Sequence, residues 1–291
     1  DADYLDRPAE DIFHSLWGLL SFSALAAEPV NGCHAALRVF NPRPESDGWS
    51  SRHTSIYINQ RDMPFLVDSL RIVLNRRGLN IYTLQSNPVW ALRNDQGLLE
   101  STHKDYLEGA QREALILIEV DLHAESELAD LQLELMAVLD DVEEVVDAFD
   151  PMRQRVDGLI VELQENAPEV EDLEESLEFL RWIYNGYFTF TGCVEYNLVP
   201  EGGKQYLCEV PESRCGLFKK YGREARRELI DELSPGVSGL YQSDDLLAVT
   251  KSSERSRVHR DVYSDYIVVK RYNKSGQPIG EVRFLGLYTS Q

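Results

Sequence analysis

Basic residues are scarce in this chain. Its 291 residues include 29 Lys and Arg against 50 Asp and Glu, which gives a formal net charge of −21. Proteins that hold nucleic acid through its phosphates need clustered Lys and Arg, and anionic membrane surfaces attract basic segments. The charge balance therefore argues against a nucleic-acid partner and against a membrane partner.

Cysteines and long apolar runs are also scarce. The four cysteines show no C-x-x-C spacing, which favours reduced thiols over a disulfide framework. No apolar run reaches the roughly 18–20 residues of a membrane span, and the apolar stretch 16–27 follows acidic residues rather than the basic start of a signal peptide. We expect a cytoplasmic protein. Because the chain starts without Met and stops after a strand-like run, we also expect a fragment of something longer.

Motifs that carry chemistry are missing as well. No glycine-rich loop follows a strand and opens a helix, as a dinucleotide or phosphate site requires. The six histidines show no metal-ligand spacing. The sequence therefore predicts no catalytic residue, no cofactor-binding residue and no metal ligand in this segment. His259 lies in a charged stretch near Asp261 and Asp265, either as a surface residue or as part of a polar network at a module interface.

Negative charge is concentrated in one block. Residues 124–178 hold 19 acidic residues and two arginines, so −17 of the net charge lies there. Such a block is usually a solvated helical face. A long helix is predicted by apolar residues that step by three and four: Leu128, Leu131, Leu135, Val138, Val142, Val145 and Phe149. This apolar side fits packing on a sheet or a coiled-coil seam, and we favour the sheet.

The stretch 55–84 is the unit around which the chain is organised. It reads as strand, turn, helix, turn and strand. Asp62 is a good N-cap and Pro64 suits the first turn, so we predict a helix over 63–77. One apolar face comes from Leu66, Leu70, Val73 and Leu74. Gly78 is placed to end the helix.

Two strings carry a family resemblance. The order of strand, D-x-P-x-L, helix and G-L-N-I resembles the opening half of an ACT domain, a ferredoxin-like module. The fuller string DMPFLVDSLRIVLNRRGLNI, preceded by VFNPRPESDGW, and the later string DYIVVKRYNKSGQPIGEVRFLGLYTS are similar to the N-terminal region of the large bacterial NAD-specific glutamate dehydrogenases. The resemblance covers most of the chain, because the two strings lie near its two ends.

The resemblance and the pattern together imply an α+β fold. We expect a ferredoxin-like ACT-type domain with an acidic helical extension, followed by a PAS-like or GAF-like α/β domain. The predicted parts are an N-terminal helix (1–30), the ACT-like domain (31–150), an acidic helical linker (151–186) and the PAS-like domain (187–291). In the last part we predict a short helix over 223–233. The ACT pattern lacks its final strand, and we expect residues 35–40 to take that place beside 55–59.

For function, the resemblance implies a non-catalytic regulatory or assembly region. The parent enzyme would use NAD to convert L-glutamate oxidatively to 2-oxoglutarate and ammonium, and this segment would hold no cofactor. Implied partners are the downstream catalytic region, further copies in a homo-oligomer, and an amino-acid effector. The effector-binding candidates are Asn59, Gln60, Arg61, Asp62, Met63, Phe65 and Asn80.

Phe65 leaves an alternative open. In ligand-binding ACT modules the turn before the helix offers backbone N–H groups to the ligand, helped by the positive end of the helix dipole. The family usually has glycine directly after the proline, whereas this chain has Phe65. Its ring would fill the ligand space or pack on a partner surface, and the segment would then be a ligand-free structural module for oligomerisation.

Overall fold

The computed structural model divides the chain into two compact units. One is formed by Asp1–Glu143 with Arg257–Arg260, and the other by Glu144–Ser256 with Asp261–Gln291. The structure describes residues 7–25, 35–166, 170, 172–220, 222 and 224–289. The domain limits expected after residues 30, 150 and 186 stay predictions. Within the described residues, no helix has the length and apolar character needed to cross a membrane.

The first unit contains an antiparallel sheet and helices. The helices are α1 (Ala9–Ala24), α2 (Pro44–Asp47), α3 (Leu66–Arg76) and α4 (Leu128–Asp147), the last preceded by a 3-10 turn (Glu125–Glu127) and ending within the first residues of the second unit. The strands are β1 (Ala36–Phe40), β2 (Thr54–Arg61), β3 (Ile81–Arg93), β4 (Leu99–His103) and β5 (Gln111–Val120). They lie in the order β1-β2-β5-β3-β4. β1 pairs antiparallel with β2, with Ala36 opposite Asn59, so the position predicted for residues 35–40 is confirmed.

The buried strands β2 and β5 lie in the middle of this sheet. β5 is buried from Ala114 to Val120 and pairs with both β2 and β3. On β2, alternation places Ile56 and Ile58 on one face and Tyr57 on the other. The Tyr57 hydroxyl donates to the Ser15 carbonyl of α1 at 2.7 Å. α1 approaches so closely that a Cβ on Gly18 would lie 2.7 Å from the Tyr57 oxygen.

Helix α3 has the apolar face that the sequence predicts. Its four core residues, Leu66, Leu70, Val73 and Leu74, are all buried. Gly78 follows the helix with a φ of +73°, a conformation that glycine adopts without steric cost. The predicted start is wrong, however, because α3 begins at Leu66 and not at 63. Asp62 does not cap it: the residue before Leu66 is Phe65, and the Asp62 carboxylate pairs with Arg112 at 2.7 Å.

The apolar side of α4 is buried, from Leu128 through Val145. The adjacent acidic residues are not all solvated, contrary to the expected polar face. Asp141 is only 2% exposed, and its carboxylate lies 2.5 Å from the Arg257 guanidinium. A buried carboxylate needs such a partner, so part of the acidic block belongs to the packed structure.

The second unit is built on a larger antiparallel sheet. Its strands are β6 (Phe188–Glu201), β7 (Lys204–Gly216), β8 (Arg227–Leu229), β9 (Leu247–Arg255), β10 (Tyr263–Tyr272) and β11 (Pro278–Tyr288), in the order β8-β7-β6-β11-β10-β9. Its helices are α5 (Phe149–Asn166), α6 (Leu173–Trp182) and α7 (Pro235–Gln242), with a π-helical turn (Ile183–Tyr187) and 3-10 turns (Leu217–Lys220, Ile230–Glu232).

The helix predicted over 223–233 is wrong. Within its described part, Arg227–Leu229 form the edge strand β8, with Arg227 opposite Cys208, and a 3-10 turn follows. The next helix, α7, begins instead at Pro235. Proline suits a first helical position because its fixed φ matches the helix and its missing N–H is not needed there.

Apolar residues cover both faces of this sheet. One face packs on α5 and α6, with buried residues that include Met152, Val156, Leu159, Leu180, Phe188, Phe190, Val269 and Phe284. The other face lies under α7 and the 3-10 turns, with Val194, Leu207, Phe218, Ile230, Val237, Leu240 and Val268. The helices expected in the acidic linker therefore form part of this core.

Candidate functional site

Of the seven predicted effector residues, three lie at the end of β2 and three in the turn that follows it: Asn59, Gln60 and Arg61 in the strand, and Asp62, Met63 and Phe65 in the turn. Asn59 and Gln60 are 5% and 2% exposed. They stand opposite Leu115 and Ala114 of β5. Because side chains alternate along a strand, Asn59 shares a face with Tyr57, whereas Gln60 points to the opposite face. The two amides therefore cannot contact one small ligand together.

Gln60 has a buried amide with unused hydrogen-bonding capacity. Neither its Nε2 nor its Oε1 has a hydrogen-bond partner, and the Oδ1 of Asn59 also has none. The Asn59 Nδ2 lies 3.5 Å from the Ser23 carbonyl oxygen. Buried polar groups without partners are costly. A polar atom brought to either amide would thus gain a favourable hydrogen bond.

The next three residues are held by contacts of their own. The Arg61 guanidinium lies 3.1 Å from the Met63 sulfur. The Asp62 carboxylate pairs with Arg112, and the Asp62 N–H donates to the Arg112 carbonyl at 2.9 Å. Because the Arg112 side chain is 55% exposed, this ion pair contributes at most about 1 kcal/mol. A ligand ammonium could displace Arg112 from Asp62 at small cost.

Phe65 has unusual backbone geometry and a defined ring contact. Its φ is +72°. Its ring centroid lies 4.7 Å from that of His259, with the planes tilted by 47°. The His259 N–H donates to the Ser69 hydroxyl at 3.2 Å. Two aromatic rings therefore lie beside the N-terminus of α3. The N-terminus of a helix is the end that attracts anions.

The surroundings of His259 keep its imidazole neutral at physiological pH. Burial lowers the pKa of His259 below its usual value of 6.5, Arg260 lowers it further, and Asp68 opposes the shift. The Nδ1 atom has no hydrogen-bond partner. His259 therefore acts at this position as an aromatic ring that packs on Phe65 and not as a cation.

Asn80 lies at the other end of the sheet. Its N–H and its Nδ2 donate to the Asp121 carboxylate at 2.8 and 3.1 Å. The next residue, Ile81, stands opposite Val120, whereas Gln60 stands opposite Ala114 of the same strand. At about 3.3 Å per residue, this separation is about 20 Å. The structure therefore does not bring Asn80 together with the turn.

Sequence reasoning missed the residues that surround Phe65. Ser69 is four positions further along, a spacing that places two residues on one helix face, so this neighbour could have been found. His259 was singled out for its acidic neighbours and not for an aromatic contact. Within the described residues, no group of three His, Cys, Asp or Glu could hold a metal ion.

Comparison with known proteins first identifies the class of module. Residues 1–135 match the family model described as the glutamate dehydrogenase ACT1 domain. The matched range contains α1, β1 to β5 and α3, and it includes the turn at 59–65.

Two relatives then extend the similarity to nearly the whole chain. It is 35% identical over 297 aligned positions to the NAD-specific glutamate dehydrogenase of Halomonas elongata, an alignment that covers 99% of this chain and 18% of that protein. It is 34% identical to the NAD-specific glutamate dehydrogenase of Pseudomonas aeruginosa, over 87% of this chain and 16% of that protein. Over nearly its whole length the chain is therefore similar to a part of NAD-specific glutamate dehydrogenases, as the resemblance predicted, and it spans less than a fifth of these relatives.

Proposed function

We propose that this chain is a non-catalytic regulatory and assembly region of an NAD-dependent glutamate dehydrogenase. In the complete protein, a downstream catalytic region would bind NAD and deaminate L-glutamate oxidatively to 2-oxoglutarate and ammonium in the cytoplasm. The observation that carries the proposal is the alignment of 99% of this chain with only 18% of such an enzyme. The partners would be that catalytic region and further copies of the same protein.

The strand orders support the proposed modules. In the first unit, β2, β3, β5 and β1 stand for the four strands of a ferredoxin-like sheet, and their order β1-β2-β5-β3 is that of an ACT domain. In the second unit, the order β7-β6-β11-β10-β9 is that of PAS-like and GAF-like sheets, with β8 as an additional edge strand. We therefore propose an ACT-type module followed by a PAS-like module.

The turn at 59–65 admits two versions of this function. The unpartnered Gln60 amide and the start of α3 favour an amino-acid effector. The ring of Phe65, packed against His259, favours a ligand-free structural role. Because a ligand at the start of α3 would have to displace this aromatic pair, the geometry supports the ligand-free version better, with assembly into a homo-oligomer as the function.

A thermal-shift screen of this chain against the twenty amino acids tests the two versions. A ligand present at one hundred times its dissociation constant adds about 2.7 kcal/mol of stability, which raises the melting temperature clearly. The ligand-free version predicts that no amino acid stabilises the first unit of the wild-type chain. Phe65→Gly, which removes the ring, should then permit stabilisation if that ring alone closes the turn.

Charge variants separate the turn from other sites. A shift that is lost in Asp62→Asn and kept in Asp95→Asn would establish the effector version and refute the ligand-free one. Asp95 is an exposed turn residue in the same unit and loses the same charge. Light scattering of the chain over a range of concentrations tests assembly, and a monomer at all concentrations would contradict it.

A further inference from the structure

The second unit contains an open cavity of about 790 Å³ that the proposed function does not use. It lies beside the end of α7 and the end of β10, and its lining includes Tyr241, Ser243, Lys270 and Tyr272. Pockets for small molecules usually measure roughly 300–1,000 Å³ and combine apolar walls with a few polar groups. The volume of this cavity falls within that range, whereas its lining is more polar than in that description and also includes two acidic residues and a second lysine.

Lys270 is the unusual member of the lining. The residue is only 5% exposed, although lysine is almost never buried without a partner of opposite charge. Its ammonium donates to the Ser243 carbonyl at 3.0 Å. Within the described part of the chain it forms no ion pair, and an ammonium has three N–H donors. The chain therefore supplies a buried cation with unused donors next to an open cavity.

The surroundings of Lys270 disfavour its charged form. Burial lowers the pKa of Lys270 from its usual value, and the negative charges of Asp245, Asp244 and Asp172 oppose the shift without reversing it. These acidic groups act from a distance, since none forms an ion pair with the ammonium. A carboxylate in direct contact would stabilise the charged lysine more strongly than these groups do from a distance.

Two tyrosines provide the walls for a carbon skeleton. The Lys270 Nζ lies 5.8 Å from the centroid of the Tyr241 ring, and the Tyr241 hydroxyl is held by the Glu281 carboxylate at 2.7 Å. Burial, with the charges of Asp172 and Asp244, raises the pKa of Tyr272 to about 12. The Tyr272 phenol therefore stays protonated at neutral pH and is able to donate a hydrogen bond to an anion.

We propose that this cavity binds a small organic carboxylate, with its carboxylate group on the Lys270 ammonium and its carbon skeleton against Tyr241 and Tyr272. A carboxylate accepts hydrogen bonds in the way that the free ammonium donors require. The site lies in the second unit and is independent of the turn at 59–65. Its existence therefore does not depend on effector binding at that turn.

Thermal shifts with four separate probes test this site: propionate, succinate, L-alanine and L-phenylalanine, with sodium chloride at equal ionic strength as the reference. We expect at least one probe near saturation to raise the melting temperature by about 5 °C. Propionate and L-alanine differ by an ammonium group, so their comparison shows whether the ligand is a simple carboxylate or an amino acid. If no probe raises the melting temperature above its value in sodium chloride, the proposal is overturned.

Two lysine variants show whether the effect arises at the cavity. Lys270→Met should abolish the shift, whereas Lys251→Met should keep it. Lys251 lies on β9, its side chain is 62% exposed and it pairs with Asp265 at 2.7 Å. Lys270→Met removes an unpaired buried charge, so the free variant should melt no lower than the wild-type chain. A shift that persists in Lys270→Met refutes the assignment.

Nuclear magnetic resonance provides a readout that needs no variant. During titration with the probe that gives the largest thermal shift, the signals of Ser243 and of the Tyr241 and Tyr272 rings should move. The ring of Tyr57, which lies in the first unit, should not move. Movement confined to residues outside the cavity would place the ligand elsewhere and exclude this site.

Discussion

Phe65 and His259 share a backbone conformation and a ring contact. In the described part of the chain they are the two residues other than glycine with a positive φ, +72° and +71°. Their ring centroids lie 4.7 Å apart. Left-handed backbone costs a residue with a side chain roughly 1–3 kcal/mol, so the contact between the rings must help to offset strain at both positions.

Because of this strain, the usual order of stability of an alanine and a glycine variant is reversed at position 65. Both Phe65→Ala and Phe65→Gly lose the ring contact, but alanine keeps the Cβ that is unfavourable at a φ of +72°. We expect Phe65→Gly to be more stable than Phe65→Ala by about 1 kcal/mol. Urea unfolding of both variants measures the difference.

A matched pair at a helical site provides the control. At Leu133, an exposed residue within α4, replacement by glycine should be less stable than replacement by alanine by about 1 kcal/mol. If the order at position 65 is the same as at position 133, the backbone strain assigned to Phe65 is absent.

The sequence predicts features that depend on local periodicity. The apolar face of α3 and its end at Gly78 follow from residues within two turns of one another. The pairing of β1 with β2 could be predicted because the ACT pattern lacks its final strand and residues 35–40 are placed to supply it. In each case the relevant residues are near in sequence, or their partner is specified by the topology of a known module.

Contacts between distant residues could not be predicted in the same way. His259 and Ser69 are 190 positions apart, and no sequence pattern pairs them. The edge strand β8 reads as a helix because its residues have no strand periodicity of their own. Its pairing with β7 determines the conformation. The buried Lys270 was likewise missed, because Val269 and Arg271 beside it indicate only a strand.

A buried charge network lies in the second unit. Arg283 is 4% exposed, and its guanidinium pairs with Glu281, which is 0% exposed, and with Glu228. Arg283→Met leaves the Glu281 carboxylate buried without its cation. We expect a loss of about 3–5 kcal/mol in the free energy of unfolding, measured by urea unfolding.

The matched control is an exposed arginine in the same unit. Arg255 is 49% exposed and pairs with Asp261, which is 37% exposed. Arg255→Met should change the stability by less than about 1 kcal/mol. Equal losses in the two variants would show that burial of the Arg283 network has no energetic consequence.

Close backbone packing requires glycine at position 286. A Cβ there would lie 2.2 Å from the Thr189 carbonyl oxygen and 2.5 Å from the Phe188 ring. Gly286→Ala should therefore cost about 3 kcal/mol, since a packed strand cannot yield without distortion. Gly239→Ala in α7 meets nothing within 4 Å and should stabilise by up to about 1 kcal/mol. A neutral Gly286→Ala would contradict the packing of β11 on β6.

Asp121 makes the stability of the first unit depend on pH. The Asn80 N–H and the Tyr82 hydroxyl lower the pKa of Asp121 below its usual value of 3.8, while burial opposes them and the Asn80 side chain adds to the lowering. A carboxyl whose folded pKa is lowered contributes stability that is complete above about pH 4 and is lost as the pH falls through the folded pKa. Asp121→Asn should therefore cost about 1 kcal/mol at pH 7. The difference from the wild-type chain should shrink at pH 3, as urea unfolding at the two values will show.

Asp95→Asn, at an exposed turn position, should cause no such pH-dependent difference. An equal loss at pH 7 and pH 3 would mean that the Asp121 charge does not act through Asn80 and Tyr82.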